Sequence, residues 1–271
     1  MIAFYLPGSI PVYTFAILVS CGVTLGLYWS IMEAPEELAK TRLEAGVGLL
    51  GGALVGSRLA YVAINWQYFR LHPFEAIQAQ LGGLTWFGAI VGWLISLHIY
   101  SKARQVNLGE LGDHLLPLVA CLTTTVWLGC WIDGIAYGAP SAAWWALPAR
   151  DEWGVLKPRL PVQVIGAIST IALFWLLDRI GNWKRAGWIS QTGMKTTLAL
   201  VIIGMQMLSL SFLRADPAPI WRGLRSDTWL AIAIIAISVL SIPVQSHNKF
   251  LGQNVDRNQK APGFQEDNGC R

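Results

Sequence analysis

A thiol, a carboxylate and a phenol lie close together in one stretch of the chain, at Cys130, Asp133 and Tyr137. A thiol attacks as its thiolate, and a neighbouring negative charge raises the pKa of a thiol. Asp133 therefore makes Cys130 a poor nucleophile, and we predict that Cys130 packs in the interior. Asp133 and Tyr137 are four residues apart, so they would share a helix face if the helix continued past Gly134.

One arginine, Arg58, lies well inside an apolar run. A charge at such a position is costly and normally faces a polar cavity or a partner. Arg58 therefore either binds an anion such as a phosphate or forms an ion pair, for which Asp133 and Asp113 are candidates. Further arginines fall in loops that we place on the outer side of the membrane, opposite the cytoplasm. There either a bound anionic headgroup or solvent would accommodate them.

Histidine, the side chain that titrates near neutral pH, is scarce where these groups lie. His72 alone falls on the outer side, directly before Pro73 in a loop, and we assign it no catalytic role. The sequence contains no Ser-His-Asp order, phosphate-binding glycine loop, dinucleotide fingerprint or zinc-ligand spacing. It thus excludes the commonest soluble chemistries, and it predicts no metal, no cofactor and no nucleic-acid partner.

The composition indicates an integral membrane protein. Of the 271 residues, 54% are hydrophobic and 13% are charged, which is about half the charged fraction of a soluble domain. The 27 glycines and 14 tryptophans fit close helix contacts and anchoring at the membrane interface.

Seven stretches are long and apolar enough to cross a bilayer as helices. They are Ile10–Met32, Leu43–Ile64, Gly83–Tyr100, Leu111–Trp131, Leu160–Leu177, Met194–Leu213 and Thr228–Val244. More lysines and arginines fall on the cytoplasmic side if the amino terminus is outside. We therefore predict an all-α membrane protein with about seven transmembrane helices, the N-terminus outside and the C-terminus cytoplasmic. Residues 1–245 would form the transmembrane domain, and residues 246–271 a polar, disordered cytoplasmic tail.

Small residues recur at every fourth position on the second of these spans, at Gly48, Gly52, Gly56 and Ala60. This spacing lets another helix approach backbone to backbone. We predict that these residues serve packing and no chemistry.

Short motifs run in order along nearly the whole chain. They are Ile10-Pro11-Val12-Tyr13, Gly56-Ser57-Arg58-Leu59-Ala60-Tyr61, Gly82-Gly83-Leu84-Thr85-Trp86-Phe87-Gly88-Ala89, Asp113 to Pro117, Val126 to Gly138 and Arg159-Leu160-Pro161-Val162-Gln163. In type and order they resemble the motifs of the bacterial prolipoprotein diacylglyceryl transferase family. No single match is specific, but the ordered set is, and the chain is identified as a member of that family.

The resemblance implies a reaction and its partners. The family's enzyme moves diacylglyceryl from phosphatidylglycerol to a lipobox cysteine thiol, which forms a thioether and releases glycerol phosphate. The step needs a thiolate, cations around the departing phosphate, and lateral access for lipid and peptide. A phospholipid, namely phosphatidylglycerol, and a prolipoprotein signal peptide are therefore the expected partners, in the bacterial plasma (inner) membrane.

The sequence departs from the family at the positions that would carry this chemistry. Phe87 stands where the family has a histidine, and Trp127 and Met207 stand where it has arginines. Two asparagines and a glutamate are likewise replaced, by Cys130, Asp133 and Ile135. Each lost acid, base or cation typically costs about a hundredfold or more in rate. We therefore expect transferase activity to be reduced, altered or lost.

The property expected to survive is a phospholipid-binding cavity open to the outer leaflet. The predicted lipid-headgroup residues are Arg58, Arg159, Gln163, Asp133, Tyr137, Arg214 and Tyr13, and the predicted scaffold glycines are Gly83, Gly88, Gly129 and Gly138. The sequence assigns no catalytic residue.

Three alternatives stay open at this point. The chain could be an active transferase, a non-catalytic lipid-binding or assembly subunit of a membrane complex, or a small-molecule transporter, although transporters usually show repeats or paired broken helices. An enzyme needs a lateral cleft in which at least two cations converge on a phosphate-sized space. A subunit should instead fill that volume with Trp127, Phe87 and Trp131.

Overall fold

The computed structural model describes the backbone of residues 2–6, 10–78, 82–181 and 192–259, most of it helical. The helices are α1 (Thr14–Met32), α2 (Glu36–Ile64), α3 (Trp66–Phe69), α4 (Trp86–Arg104), α5 (Leu108–His114), α6 (Leu116–Asp133), α7 (Val162–Gly181), α8 (Met194–Ser211) and α9 (Ser226–Gln259). Short strands pair into three antiparallel hairpins, β1 (Ile2–Leu6) with β2 (Ile10–Tyr13), β3 (Leu147–Arg150) with β4 (Leu156–Arg159), and β5 (Ile220–Trp221) with β6 (Leu224–Arg225).

Five helices are long and apolar enough to cross a membrane: α1, α2, α6, α8 and residues Val162–Ile180 of α7. The all-α membrane fold predicted from the sequence is confirmed at this level. The third predicted span forms α4, a helix of 19 residues that carries polar groups such as His98 and Lys102. The apolar part of α9, Ser226–Ile242, is shorter than the five. The count of seven spans and the orientation stay predictions.

Two predicted boundaries can be compared with the helices. The fourth predicted span, Leu111–Trp131, is divided between α5 and α6, which begins at Leu116 with Pro117 in its first turn. The backbone of α9 continues as helix to Gln259, past the predicted domain boundary at residue 245. Residues 260–271 of the predicted tail lie outside the described residues, and the division into domain and tail stays a prediction.

The helices α2 and α4 meet backbone to backbone. A Cβ atom added to Gly56 would lie 2.5 Å from the Gly88 carbonyl oxygen, and one added to Gly92 would meet the Gly52 carbonyl. The packing predicted for Gly52 and Gly56 is confirmed. For Gly48 the prediction was wrong, because nothing lies within 4 Å of a Cβ atom there.

A second close contact joins α1 to α6. A Cβ atom on Gly26 would lie 2.6 Å from the Leu118 Cα atom, and one on Gly129 would lie 2.5 Å from the Phe15 ring. Glycines on both helices thus allow the same kind of approach that joins α2 to α4.

Asp113 joins α5 to the start of α8. Its carboxylate accepts hydrogen bonds from the backbone N–H of Gly193 at 2.8 Å and from the N–H and hydroxyl of Thr196, both at 2.7 Å. The first N–H groups of a helix lack partners within it, and the helix dipole favours negative charge there. Asp113 therefore caps α8, and the ion pair with Arg58 that we considered does not form.

The outer end of the bundle is the end that contains the β3–β4 and β5–β6 hairpins, which is predicted to face outside. The opposite end, which contains α5 and the start of α8, is the inner end. Residues 134–161 and 212–225, which cover the outer end, are called the outer cap.

We expect Gly56→Ala to lower the thermal stability of the protein in detergent, because the new methyl group would collide with the α4 backbone and overpacking costs about 1–3 kcal/mol. Gly48→Ala is the matched control, since it brings the same gain in helix propensity without a neighbour to meet. Thermal unfolding of both purified variants measures the difference. Equal midpoints would contradict the close α2–α4 contact.

Candidate functional site

The chain leaves α6 through a left-handed turn. Asp133 is the last helical residue, and Gly134 has a φ of 68°, a conformation that glycine adopts readily. The helix therefore does not continue to Tyr137, and Asp133 and Tyr137 do not share a helix face. From Gly134 the backbone enters the outer cap, which returns to the membrane through the β3–β4 hairpin and α7.

Arg159 lies at the centre of this part of the cap and is 5% exposed. Its Nη2 atom lies 2.9 Å from the Asp151 carboxylate, and its guanidinium stacks 4.6 Å from the centroid of the Tyr137 ring. The Tyr137 hydroxyl in turn donates to Glu152 at 3.1 Å. Burial, and then this bond to a carboxylate, raise the pKa of Tyr137, so that the phenol stays protonated and acts as a donor.

Gln163 follows in the first turn of α7 and is fully buried. Its amide nitrogen donates to the Ile135 carbonyl at 3.0 Å, which fixes the loop that follows α6. Among the described residues, neither the Gln163 Oε1 atom nor the Arg159 Nε atom has a hydrogen-bond partner, although both atoms are buried. An unpaired buried polar atom costs about 1–3 kcal/mol. Gln163 can therefore accept one further hydrogen bond, and Arg159 can donate one.

Two arginines and two aspartates form a second charged group in the outer cap. Arg214 binds Asp216 through Nε at 2.8 Å and also lies 3.4 Å from Asp227. Arg225 lies 3.2 Å from Asp216 and 3.7 Å from Asp227. Burial lowers the pKa of Arg214, but the hydrogen bond and charge of Asp216 outweigh it and raise the pKa above its ordinary value.

The backbone links the two charged groups. Gly138 forms an isolated β-bridge with Arg214, and Pro140 forms one with Arg159. A Cβ atom on Gly138 would collide with the Leu160 carbonyl, so this position needs a glycine to let the strands close. The structure thus brings together Arg159, Gln163, Tyr137, Gly138 and Arg214 from the predicted set.

Arg58 belongs to a different part of the outer end. Its Nε atom donates to the Ala76 carbonyl at 2.9 Å, its Nη1 atom to the carbonyls of Gly82 and Gly83, and its Nη2 atom to the Glu75 carbonyl. Arg58 is 8% exposed, and its guanidinium lies 5.3 Å from the centroid of the Phe69 ring. Arg58 therefore binds the backbone of the segment that connects α2 to α4.

The remaining predicted residues lie at three further places. Tyr13 precedes α1 and is 43% exposed. Gly83, with a φ of 76°, lies against the Tyr61 ring, and Gly88 lies against the Gly56 carbonyl. A role in lipid binding for any residue of the predicted set stays a prediction.

Trp127 and Met207, which by the resemblance stand where the family has arginines, are packed in the interior here. Trp127 is 4% exposed, and its indole lies against Gly166 of α7. It shares a buried cluster with Val162 and Leu210, and Met207 and Cys130 pack against that cluster. Of the three residues expected to fill the volume in a subunit, Trp127 alone is buried, and the role of a subunit stays a prediction. Phe87 is half-buried, and Trp131 is 37% exposed.

Two cavities lie elsewhere in the helical bundle. One lies between α4, α8 and α9, and the other is a groove beside α1 lined by Tyr28, Trp29 and Cys121. None of the seven predicted lipid-headgroup residues lines either of them. Within the part of the chain that the structure describes, no cluster of three or more His, Cys, Asp or Glu side chains could hold a metal ion.

Sequence reasoning missed the acidic partners of the outer arginines, which are Asp151, Asp216 and Asp227. One signal was available: the pattern Arg-x-Asp occurs at Arg214–Asp216 and again at Arg225–Asp227. Two such copies in neighbouring loop segments favour mutual pairing. Asp151 offered no comparable signal, because its pairing with Arg159 depends on the register of the β3–β4 hairpin.

The fold and the site define a helical membrane protein with a cap of short hairpins, held by buried arginines, at its outer end. The sequence profile of the prolipoprotein diacylglyceryl transferase family matches residues 1–244. The chain belongs to that family.

Several relatives carry the name phosphatidylglycerol–prolipoprotein diacylglyceryl transferase. The one from Finegoldia magna is 27% identical over 86% of this chain and 90% of its own length. The one from Streptococcus pneumoniae is 23% identical over 89% of this chain and 93% of its own length. The one from Dehalococcoides mccartyi is 31% identical over 48% of this chain, and the match spans about half of that relative, 51%.

We expect Arg58→Lys to loosen the segment between α2 and α4, because a lysine ammonium cannot reproduce the planar fork that reaches four carbonyls. A hydrogen bond to a charged group is worth about 1.5–3 kcal/mol, so amide exchange in residues 73–78 and 82–85 should accelerate roughly tenfold or more. Hydrogen exchange with mass spectrometry measures this. Arg70→Lys, an exposed arginine in the same segment, is the control. Unchanged exchange in Arg58→Lys would contradict a structural role for Arg58.

Proposed function

We propose that this chain is a phospholipid-binding member of the prolipoprotein diacylglyceryl transferase family, in which diacylglyceryl transfer is strongly reduced or lost. It would lie in the bacterial plasma (inner) membrane with seven transmembrane helices, among them α4 and α9. Its N-terminus would face outside and its C-terminus the cytoplasm.

The observation that carries this proposal is the packing of Trp127 and Met207. By the resemblance, both stand where the family has an arginine, and here they belong to or pack against one apolar cluster between α6, α7 and α8. A departing phosphate needs cations or other donors aimed at it in a water-poor site. An indole and a thioether supply no positive charge, so the only group that this pair offers a phosphate is the neutral Trp127 N–H, which has no hydrogen-bond partner among the described residues.

The arginines of the outer end do not replace those cations as they stand. Arg159, Arg214 and Arg225 each lie within 4.0 Å of a carboxylate. Arg58 directs its N–H groups to backbone carbonyls. A phosphate would have to displace partners that the protein already supplies, and removing one partner of a buried pair costs about 3–5 kcal/mol.

The unused polar capacity of the site indicates how a lipid could still bind. Gln163 Oε1 is an acceptor and Arg159 Nε is a donor, and a hydroxyl group can donate to the first or accept from the second. The relatives named above use phosphatidylglycerol by their names, and its glycerol headgroup carries hydroxyls. We therefore propose phosphatidylglycerol as the bound lipid, with its headgroup beside Gln163. A prolipoprotein signal peptide would be a partner only if transfer survives.

The second candidate function is an assembly subunit without catalysis. It is favoured by large apolar side chains on the outer cap, where Trp144 is 95% exposed, Trp153 81% and Leu156 61%. Such residues suit either the lipid headgroup layer or the surface of a partner. In both cases the apolar cluster around Trp127 would serve packing alone.

We expect no lipidation of a reporter prolipoprotein when this chain replaces the transferase in bacteria depleted of their own enzyme. The reason is the loss of cations at Trp127 and Met207, each worth about a hundredfold or more in rate. The mobility of the reporter on gels measures lipidation, and an immunoblot of the membrane fraction verifies insertion. The Finegoldia magna relative, expressed in the same way, is the positive control. Lipidation by this chain would overturn the proposed loss of transfer.

Lipid binding is tested separately, by phosphatidylglycerol retained on the purified protein in native mass spectrometry. We expect Gln163→Leu to reduce retention roughly threefold to tenfold, the effect of one hydrogen bond of about 1 kcal/mol. Gln206→Leu is the matched control, since Gln206 is also buried but binds Gly166 and Ser169 between α7 and α8. Equal retention in both variants and the parent chain would contradict a headgroup site at Gln163.

A further inference from the structure

A cavity of about 580 Å³ opens between α4 on one side and α8 and α9 on the other. It extends from the middle of these helices to the inner end of the bundle, where α5 borders it. Its walls towards the middle of the bundle are aliphatic, formed by Ile90, Leu94, Leu97, Leu200, Ile234 and Ile237. It is therefore separate from the outer cap and from every residue in the proposed headgroup site.

The end of the cavity beside α5 is polar but carries no charge. It is lined by Asn107, Thr196, Thr197, Ser238 and Ser241. Asn107 uses its side-chain oxygen to cap α5, accepting from the N–H groups of Gly109 and Glu110, which leaves its amide nitrogen as the donor at this end. The start of α8 is not an anion site, since Asp113 already occupies the first N–H groups.

We infer that this cavity binds one acyl chain of a membrane glycerolipid. The chain would lie along the aliphatic walls of α4 and α9, and its ester carbonyl would accept from the Asn107 amide nitrogen. The hydroxyls of Thr196, Thr197 and Ser241 already donate within the protein. The lining of the cavity changes from aliphatic to neutral polar, as a glycerolipid does from its acyl chain to its ester group. This site is independent of the proposed function, because it involves none of the groups that bind or transfer a headgroup.

The size of the cavity suits an acyl chain with its ester group. An engineered cavity of roughly 150 Å³ holds one benzene molecule. On that scale the cavity holds about four times as many carbon atoms, which suits one lipid chain with its ester group.

The position of the cavity among membrane helices favours a lipid chain as its occupant. A bilayer gives no hydrophobic gain for moving a chain from lipid to protein, since both surroundings are apolar. An empty cavity, however, forfeits the dispersion contacts of all the side chains that line it. Because the aliphatic walls offer water no hydrogen bonds, a chain from the surrounding bilayer is the occupant that restores those contacts.

The test uses the full chain in liposomes with a phospholipid that carries a photoactivatable diazirine near the end of one acyl chain. We expect cross-links, mapped by mass spectrometry, on α4 and α9 residues that line the cavity. The double variant Leu94→Trp and Ile234→Trp fills the volume, and labelling there should fall about tenfold, the change that corresponds to ~1.4 kcal/mol. The matched control is Ile99→Trp with Leu240→Trp, on the same helices at exposed positions outside the cavity.

Thermal unfolding identifies any filled variant that fails to fold. In that case, competition by excess unlabelled phospholipid against labelling of the parent chain provides the second measurement, and we expect it to reduce the labelling. Equal labelling in the filled and control variants, or cross-links confined to residues outside the cavity, would overturn the proposal. So would labelling by a diazirine fatty acid with none by the phospholipid.

Discussion

Buried arginines that bind the protein's own oxygen atoms determine how the outer end of this bundle is built. Between α2 and α4 the described residues form α3 and a 3₁₀ turn at Pro73–Ile77, and several carbonyls around that turn have no partner within a long helix or a sheet. Arg58 reaches four of these carbonyls from inside α2. Backbone groups near a bilayer must find partners within the protein. Arg58 therefore holds the path of the chain into α4 together with Ser57 and Thr85, whose side chains each donate to the backbone carbonyl of the other residue.

The same constraint bears on the proposed function. A buried guanidinium that is bound to a carboxylate or to carbonyls is already solvated by the protein, and a lipid phosphate can bind it only by exchange. Family members that transfer diacylglyceryl need cations whose partner is the substrate. In this chain the corresponding positions hold Trp127 and Met207, and the arginines that remain, such as Arg159 and Arg214, hold the cap together. The fold is thus preserved by charges that serve structure, while the proposed lipid contact falls to neutral groups such as Gln163.

The sequence predicted those features that individual residues determine. Hydropathy located the helices α1, α2, α6, α7 and α8, and glycine spacing identified Gly52 and Gly56 as contact residues. It did not predict the features that depend on the path of the chain. Gly48 has the right spacing, but its Cβ position has no neighbour within 4 Å, although α4 reaches this stretch of α2 through Tyr100 and Arg104. The partners of Arg58 lie in a connecting segment without a recognisable pattern. Asp151 meets Arg159 only because a hairpin of a particular register forms, and no local signal specifies that register.

On the proposed function, the loss of catalytic groups need not have cost this protein stability. Replacing buried charged groups by well-packed apolar side chains is often neutral or stabilising, because the desolvation cost of the charges disappears. Trp127 packed on Gly166 is such a replacement, since its large indole adds apolar contact between α6 and α7. The contacts that define the bundle, at Gly56 and at Gly26, involve no group that the reaction would use. A scaffold of this kind can therefore lose its chemistry position by position and still present both a lipid-sized cavity and a closed outer cap to the membrane.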